Sequence, residues 1–222
     1  MRFPLFIELD DRPCLVVGGG AVAVRKATAL AEYGAKVTMV AGKNAPRGAG
    51  ISSVRVICRC FVDSDVEGMA LVVSATDDRT VNGHVAAVCR TKGIPVNVVD
   101  DPANCTFIFP AVVRKGPIIA AVSTGGACPV AAKLVRDKVG RLLTDEFIAA
   151  VEQLGTRREE MKRTHPDPHE RMLACEEALS KWKDRLGCCG GEDQSRRVPP
   201  LFPRTGLAHG AALNVRLWYN TQ

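Results

Sequence analysis

Cys14-Leu15-Val16-Val17-Gly18-Gly19-Gly20-Ala21-Val22-Ala23 is an apolar run that stops at three glycines and passes into a small-residue, helix-forming segment reaching Tyr33. The run reads as a buried strand. Within the glycines sits Gly-x-Gly-x-x-Ala, with Gly18, Gly20 and Ala23 at the fixed positions. Gly18 turns the chain tightly after the strand. Gly20 lets a pyrophosphate approach the backbone. Ala23 lets helix and strand pack closely, and the free N–H groups at the helix start face the phosphates. Glycine triplets also occur in plain turns, so the strand before and the helix after carry the reading: a dinucleotide site.

Working outward, Lys36–Val40, Val54–Cys60, Leu71–Ala75 and Pro95–Val99 read as further strands, and Thr80–Thr91 as a helix stopped at Gly93. Short apolar strands alternating with helices specify an α/β fold with a Rossmann-type parallel sheet. Runs without polar alternation belong to strands buried on both faces. After residue 110 the pattern changes to a small α+β region: apolar Phe107–Val113, strand-like Ile118–Val122, the small-residue loop Ser123-Thr124-Gly125-Gly126, and a helix over Pro129–Leu143. Residues 145–187 read as a charged helical region, interrupted at His165-Pro166-Asp167-Pro168, and 188–222 as a disordered tail. The division is 1–110, 111–144, 145–187 and 188–222.

The 222 residues are 46% hydrophobic, enough for a core. No apolar run is long enough for a membrane span, and the first residues lack a signal peptide, so a cytoplasmic protein is expected. Nine cysteines without a Cys-x-x-Cys pair read as structural thiols in a reducing compartment. Neither they nor the four histidines give a metal-ligand set. The formal net charge of +6 comes without a basic block, and aromatics are 5%, so nucleic acid is not the expected partner; a small polyanion suits the same field.

In such sheets the ligand lies beyond the carboxyl ends of the strands. Three loops should meet there: Gly18–Val22, Ser74–Asp78 and Val99–Pro102. Asp78 or Asp77 reads as the N-cap of the next helix, and Thr76 and Asp77 as neighbours of the cofactor; both can hold. Asp100 and Asp101 close the last strand. A carboxylate there is placed as a general base, and a neighbour raises the pKa of one of the pair; the other reading is a solvated Asp-Pro turn. The second strand ends Val40-Ala41-Gly42-Lys43-Asn44, without the acidic residue that usually binds a ribose, so residue chemistry leaves NAD and NADP open.

Taken in order, Phe3-Pro4-Leu5-Phe6, Val17-Gly18-Gly19-Gly20-x-Val22-Ala23-x-Arg25-Lys26, Ala75-Thr76-Asp77-Asp78-x-Thr80-Val81-Asn82, Asn97-Val98-Val99-Asp100, Phe107-Ile108-Phe109-Pro110 and Ser123-Thr124-Gly125-Gly126-x-Cys128-Pro129 resemble the precorrin-2 dehydrogenase/sirohydrochlorin ferrochelatase family, the N-terminal module of sirohaem synthase. The resemblance runs over roughly residues 1–145. It implies NAD-linked oxidation of precorrin-2 to sirohydrochlorin, and in some members insertion of iron or cobalt. It implies Asp100 as catalytic base. The cofactor contacts would be Gly18, Gly20, Ala21, Val22, Gly42, Lys43, Thr76 and Asp77. It implies a homodimer that exchanges the region after Pro110, and a separate uroporphyrinogen methyltransferase, for which this chain is too short. A polycarboxylate tetrapyrrole suits Arg114 and Lys115, with Asn97, Thr124, Gly125, Gly126 and Cys128 completing the substrate side; Arg136 and Lys138 read better as a solvated helix face. Cys128 stands where the family usually has Ser, a better helix N-cap. Two rivals keep the same motifs: a chelatase whose dinucleotide site is only structural, and a nucleotide-sensing module in which Asp100 is dispensable.

Overall fold

A computed structural model describes residues 2–42, 53–183 and 186. The expected disorder of 188–222 lies outside the described residues. β1 (Pro13–Val17), β2 (Lys36–Val40), β3 (Val54–Ile57), β4 (Leu71–Ser74) and β5 (Val96–Val98) form one parallel sheet in the order β3-β2-β1-β4-β5. Helix α1 (Ala21–Ala31) joins β1 to β2, and α2 (Arg79–Thr91) joins β4 to β5.

The unbroken apolar runs have the predicted cause. Side chains alternate between the two faces of a strand, and both faces are covered. Cys14, Val16, Val37, Met39, Leu71 and Val73 pack with Ala23, Ala27 and Leu30 of α1. Leu15, Val17, Val40, Val72, Val96 and Val98 pack with Val85, Ala86 and Cys89 of α2. Each helix offers one stripe at the spacing of an amphipathic helix. Both stop in the same way: Gly34 N–H donates to the Ala31 carbonyl and Ala35 N–H to that of Leu30, and Gly93 and Ile94 repeat this on Arg90 and Cys89.

The third strand is shorter than its β-rich sequence suggests. It ends at Ile57, and Cys58 and Cys60 are exposed. A short 3-10 turn, Asp63–Val66, follows; the Asp65 carboxylate accepts from Val62 N–H and pairs with Arg59 through both oxygens, at 2.5 and 2.8 Å.

Beyond Pro110 the chain forms an antiparallel hairpin of β6 (Ala111–Lys115) and β7 (Ile118–Val122), with Lys115 opposite Ile118 across a two-residue turn. Helix α3 (Pro129–Leu142) packs on both strands, and α4 (Asp145–Thr156), α5 (Arg158–Thr164) and α6 (Pro168–Ala178) complete the helical region. The break between α5 and α6 falls at the predicted His-Pro-Asp-Pro stretch. A second unit starts at Leu179, of which α7 (Ser180–Lys183) is described. The seven described cysteines are free thiols. Among the described residues no helix is long and apolar enough to cross a membrane.

Candidate functional site

The strand order reverses between β1 and β4: β1 leads to β2 on one side of the sheet, and β4 to β5 on the other. A crevice opens at the carboxyl ends of strands at such a switch point. Gly18 and Ala75 follow directly on these two strands.

Gly18 takes φ +125°, a conformation that side-chain-bearing residues avoid. A Cβ there would lie 2.3 Å from the Ala75 carbonyl oxygen, so the two chains cross in contact. Gly18 N–H donates to Val40, which ties the turn to β2. Gly20 differs. It is the N-cap of α1, no side chain caps the helix, and a Cβ built on it meets nothing within 4 Å. An uncapped helix start with open space before it is a cradle for an anion. Ala21 and Val22 form its first turn, and Ala23 is fully buried beneath. Gly42 sits just past β2, with the Cys60 sulfur 4.0 Å from a Cβ built there. Lys43 lies outside the described residues.

The loop after β4 is held by its own hydrogen bonds. Asp78 is the N-cap of α2, accepting from Thr80 and Val81 N–H at 2.8 and 3.2 Å. Of the two aspartates, Asp78 therefore carries the capping role. Asp77 is exposed and makes no hydrogen bond within the described residues. The Thr76 hydroxyl accepts from Asp78 N–H and lies 2.8 Å from the Asn82 side-chain oxygen, which also takes the hydroxyl of fully buried Ser74 at 2.7 Å. Ser74 and Asn82 stand in the motifs quoted from the sequence but were given no role there. The signal was present: Asn82 is a polar residue on the inward stripe that continues through Val85, Ala86 and Cys89.

Asp100 lies two residues past β5, exposed, in the left-handed region at φ +58°. A non-glycine residue held there is strained, and such strain gathers at functional positions. Its turn is clamped from behind. The Cys105 sulfur accepts from Val98 N–H at 3.2 Å and lies 3.2 and 3.3 Å from the Val98 and Asp101 carbonyls. The Asp101 carboxylate accepts from Asn104 through side chain and backbone. Hydrogen bonding from the Asn104 side chain keeps the Asp101 carboxyl below the usual aspartate range. Asn97, expected on the substrate side, is buried, and its amide donates to the Phe107 carbonyl at 3.0 Å. With Thr106, whose N–H and hydroxyl bond both backbone groups of Val96, it seals the edge of β5.

Two other residues expected on the substrate side lie away from the cleft of their own protomer. The Arg114 guanidinium lies 5.7 Å from the Tyr33 ring centre, beyond the last turn of α1 and so at the opposite end of that helix from Gly20. β6 sets this direction: Phe109 lies against Lys26 midway along α1, and the strand continues away from the cleft. Lys115 donates to the Leu143 carbonyl at 2.8 Å and closes the end of α3. In the loop before α3, Thr124 Oγ1 accepts from Cys128 N–H, and Cys128 Sγ accepts from Ala131 N–H at 3.4 Å, so the cysteine does act as N-cap. Gly125 and Gly126 stand open, with nothing within 4 Å of an added Cβ. Arg136 pairs with Asp137 on the solvated side of α3. Among the described residues no group of three or more His, Cys, Asp or Glu comes together to hold a metal ion.

A family profile described as "Putative NAD(P)-binding" matches residues 5–111. The siroheme synthase of Methylococcus capsulatus is 40% identical over 202 residues, which are 88% of this chain and 42% of that protein. That of Ectopseudomonas mendocina is 42% identical over 182 residues, 81% of this chain and 39% of the relative. Over 88% and 81% of its own length, then, the chain is similar to siroheme synthases. It spans less than half the length of these relatives. A solved structure titled "SirC, precorrin-2 dehydrogenase" has the same fold, with TM-score 0.57 and 22% identity over 82% of this chain and 100% of that one.

Proposed function

We propose that the chain is an NAD-dependent dehydrogenase that oxidises precorrin-2 to sirohydrochlorin, with Asp100 as its base. The observation that carries the reading is Asp100, a strained carboxylate beyond the carboxyl end of the sheet, one strand from the switch-point crevice. The glycine turn fits the cofactor: Gly18 brings the backbone in, Gly20 leaves room, and the uncapped start of α1 at Ala21 and Val22 meets the pyrophosphate. Thr76, Asp77 and Gly42 border the same edge. When bound, NAD supplies the hydride acceptor.

The protein contributes position and proton transfer. Oxidation removes a hydride and a proton from the tetrapyrrole. The proton goes to an oxygen of Asp100, and its exposed position lets it pass on to solvent. The clamp by Cys105 and Asp101 keeps the carboxylate in place. The open loop Thr124–Cys128 is suited to the substrate's carboxylates. The hairpin leaves Arg114 and Lys115 away from the cleft of their own protomer, and α3 exposes Val130, Leu134 and Val135 at 65, 64 and 50%. A second copy covering this face makes the working unit a homodimer.

The test is anaerobic turnover with precorrin-2 made in situ, comparing NAD with NADP, and the parent with Asp100→Asn. The expected result is NAD-dependent sirohydrochlorin formation that the variant loses. Nucleotide binding without turnover, with Asp100 dispensable, would favour a sensing module. Metal insertion into supplied sirohydrochlorin by a parent that does not turn over NAD would favour a chelatase.

A further inference from the structure

Asn82 is 7% exposed. Its side-chain oxygen accepts from Thr76 N–H at 3.2 Å, and its Nδ2 donates to the Thr76 carbonyl at 2.9 Å. One side chain thus holds both backbone polar groups of one residue, as a neighbouring strand would. The peptide that carries the Thr76 N–H has the Ala75 carbonyl at its other end. That same peptide abuts Gly18: its O, C and N atoms would lie 2.3, 2.7 and 3.2 Å from a Cβ there.

We infer that Asn82 is a positioning residue for the cofactor site, orienting the Ala75–Thr76 peptide against which the glycine turn is seated. It acts through that peptide and touches no reacting atom. The inference rests on the dinucleotide reading above. An amide is the group the geometry requires, since it accepts and donates at once. An ionised aspartate keeps the acceptor and loses the donor, and leucine loses both. Ser74 provides an internal control, because its hydroxyl hydrogen-bonds the Asn82 oxygen and not the peptide itself.

The experiment titrates NADH into the full chain by fluorescence, for the parent, Asn82→Leu, Asn82→Asp and Ser74→Ala, with Tm measured on each. Asn82→Leu should weaken Kd by about tenfold, roughly 1.4 kcal/mol. Asn82→Asp should fall between it and the parent. Ser74→Ala should lower Tm and keep Kd within about twofold. At saturating cofactor the turnover of Asn82→Leu should largely recover, placing the defect in KM for NAD. Parental Kd in Asn82→Leu overturns the inference alone, as does an equal loss in Ser74→Ala. If Asn82→Leu does not fold, parental Kd in Asn82→Asp overturns it. A parent that binds no NADH overturns the dinucleotide reading and the inference with it.

Discussion

Asp100 carries a conformational strain together with its proposed chemistry, and the two can be separated. Asparagine and aspartate tolerate the left-handed region better than other side-chain-bearing residues, while a β-branched side chain does not. Asp100→Asn should therefore keep the parental urea midpoint and abolish turnover. Asp100→Val should also lose about 1–2 kcal/mol of stability. A large stability loss in the asparagine variant would mean that the carboxylate is structural. The position of Asp100 was legible, because it directly follows the strand-like stretch Pro95–Val99. Its backbone strain was not, since that depends on how residues 102–107 fold back over β5. The partner of Asn97 was hidden for the same reason: the Phe107 carbonyl arrives only through that fold-back.

Elements were legible where burial on two faces writes itself into composition, as in β1, β2 and β4, and where glycine stops a helix. The direction of β6 was not. Nothing local says that the chain after Pro110 runs along α1 away from the cleft, so the sequence alone does not place Arg114 and Lys115 within the protomer. Capping gives a test at this scale. Cys128 caps α3 through a 3.4 Å sulfur contact, a weak substitute for a hydroxyl, so Cys128→Ser should stabilise by about 0.5–1 kcal/mol in thermal unfolding. The turn after β3 gives a pH test. Hydrogen bonding from Arg59 holds Asp65 below its ordinary value of 3.8. A depressed carboxyl stabilises the fold above its unfolded pKa and loses that contribution as pH falls through the folded value. The Tm gap between the parent and Arg59→Gln should thus be constant above about pH 5 and close below 3.8.

For the molecule as a whole, the reversal of strand order brings the Gly18 turn and the Thr76 loop together, and this was readable from the alternation of elements alone. The exposed face of α3 is the part that one chain leaves unfinished. If a second copy covers it, Leu134→Glu should shift sedimentation from dimer to monomer while NADH binding persists. The two-sided core has one more consequence. Cys14 and Cys89 are fully buried on opposite faces of the sheet, and burial raises both thiols, Cys89 to about 11. A reagent that attacks thiolates reaches neither until its own face opens, while Cys58, Cys60 and Cys128 react at once. The chain therefore carries two natural clocks for the separation of its layers. Pulsed alkylation read by mass spectrometry should show them running at one rate if the sheet opens as a single cooperative unit, and at two rates if one layer of helix lifts first.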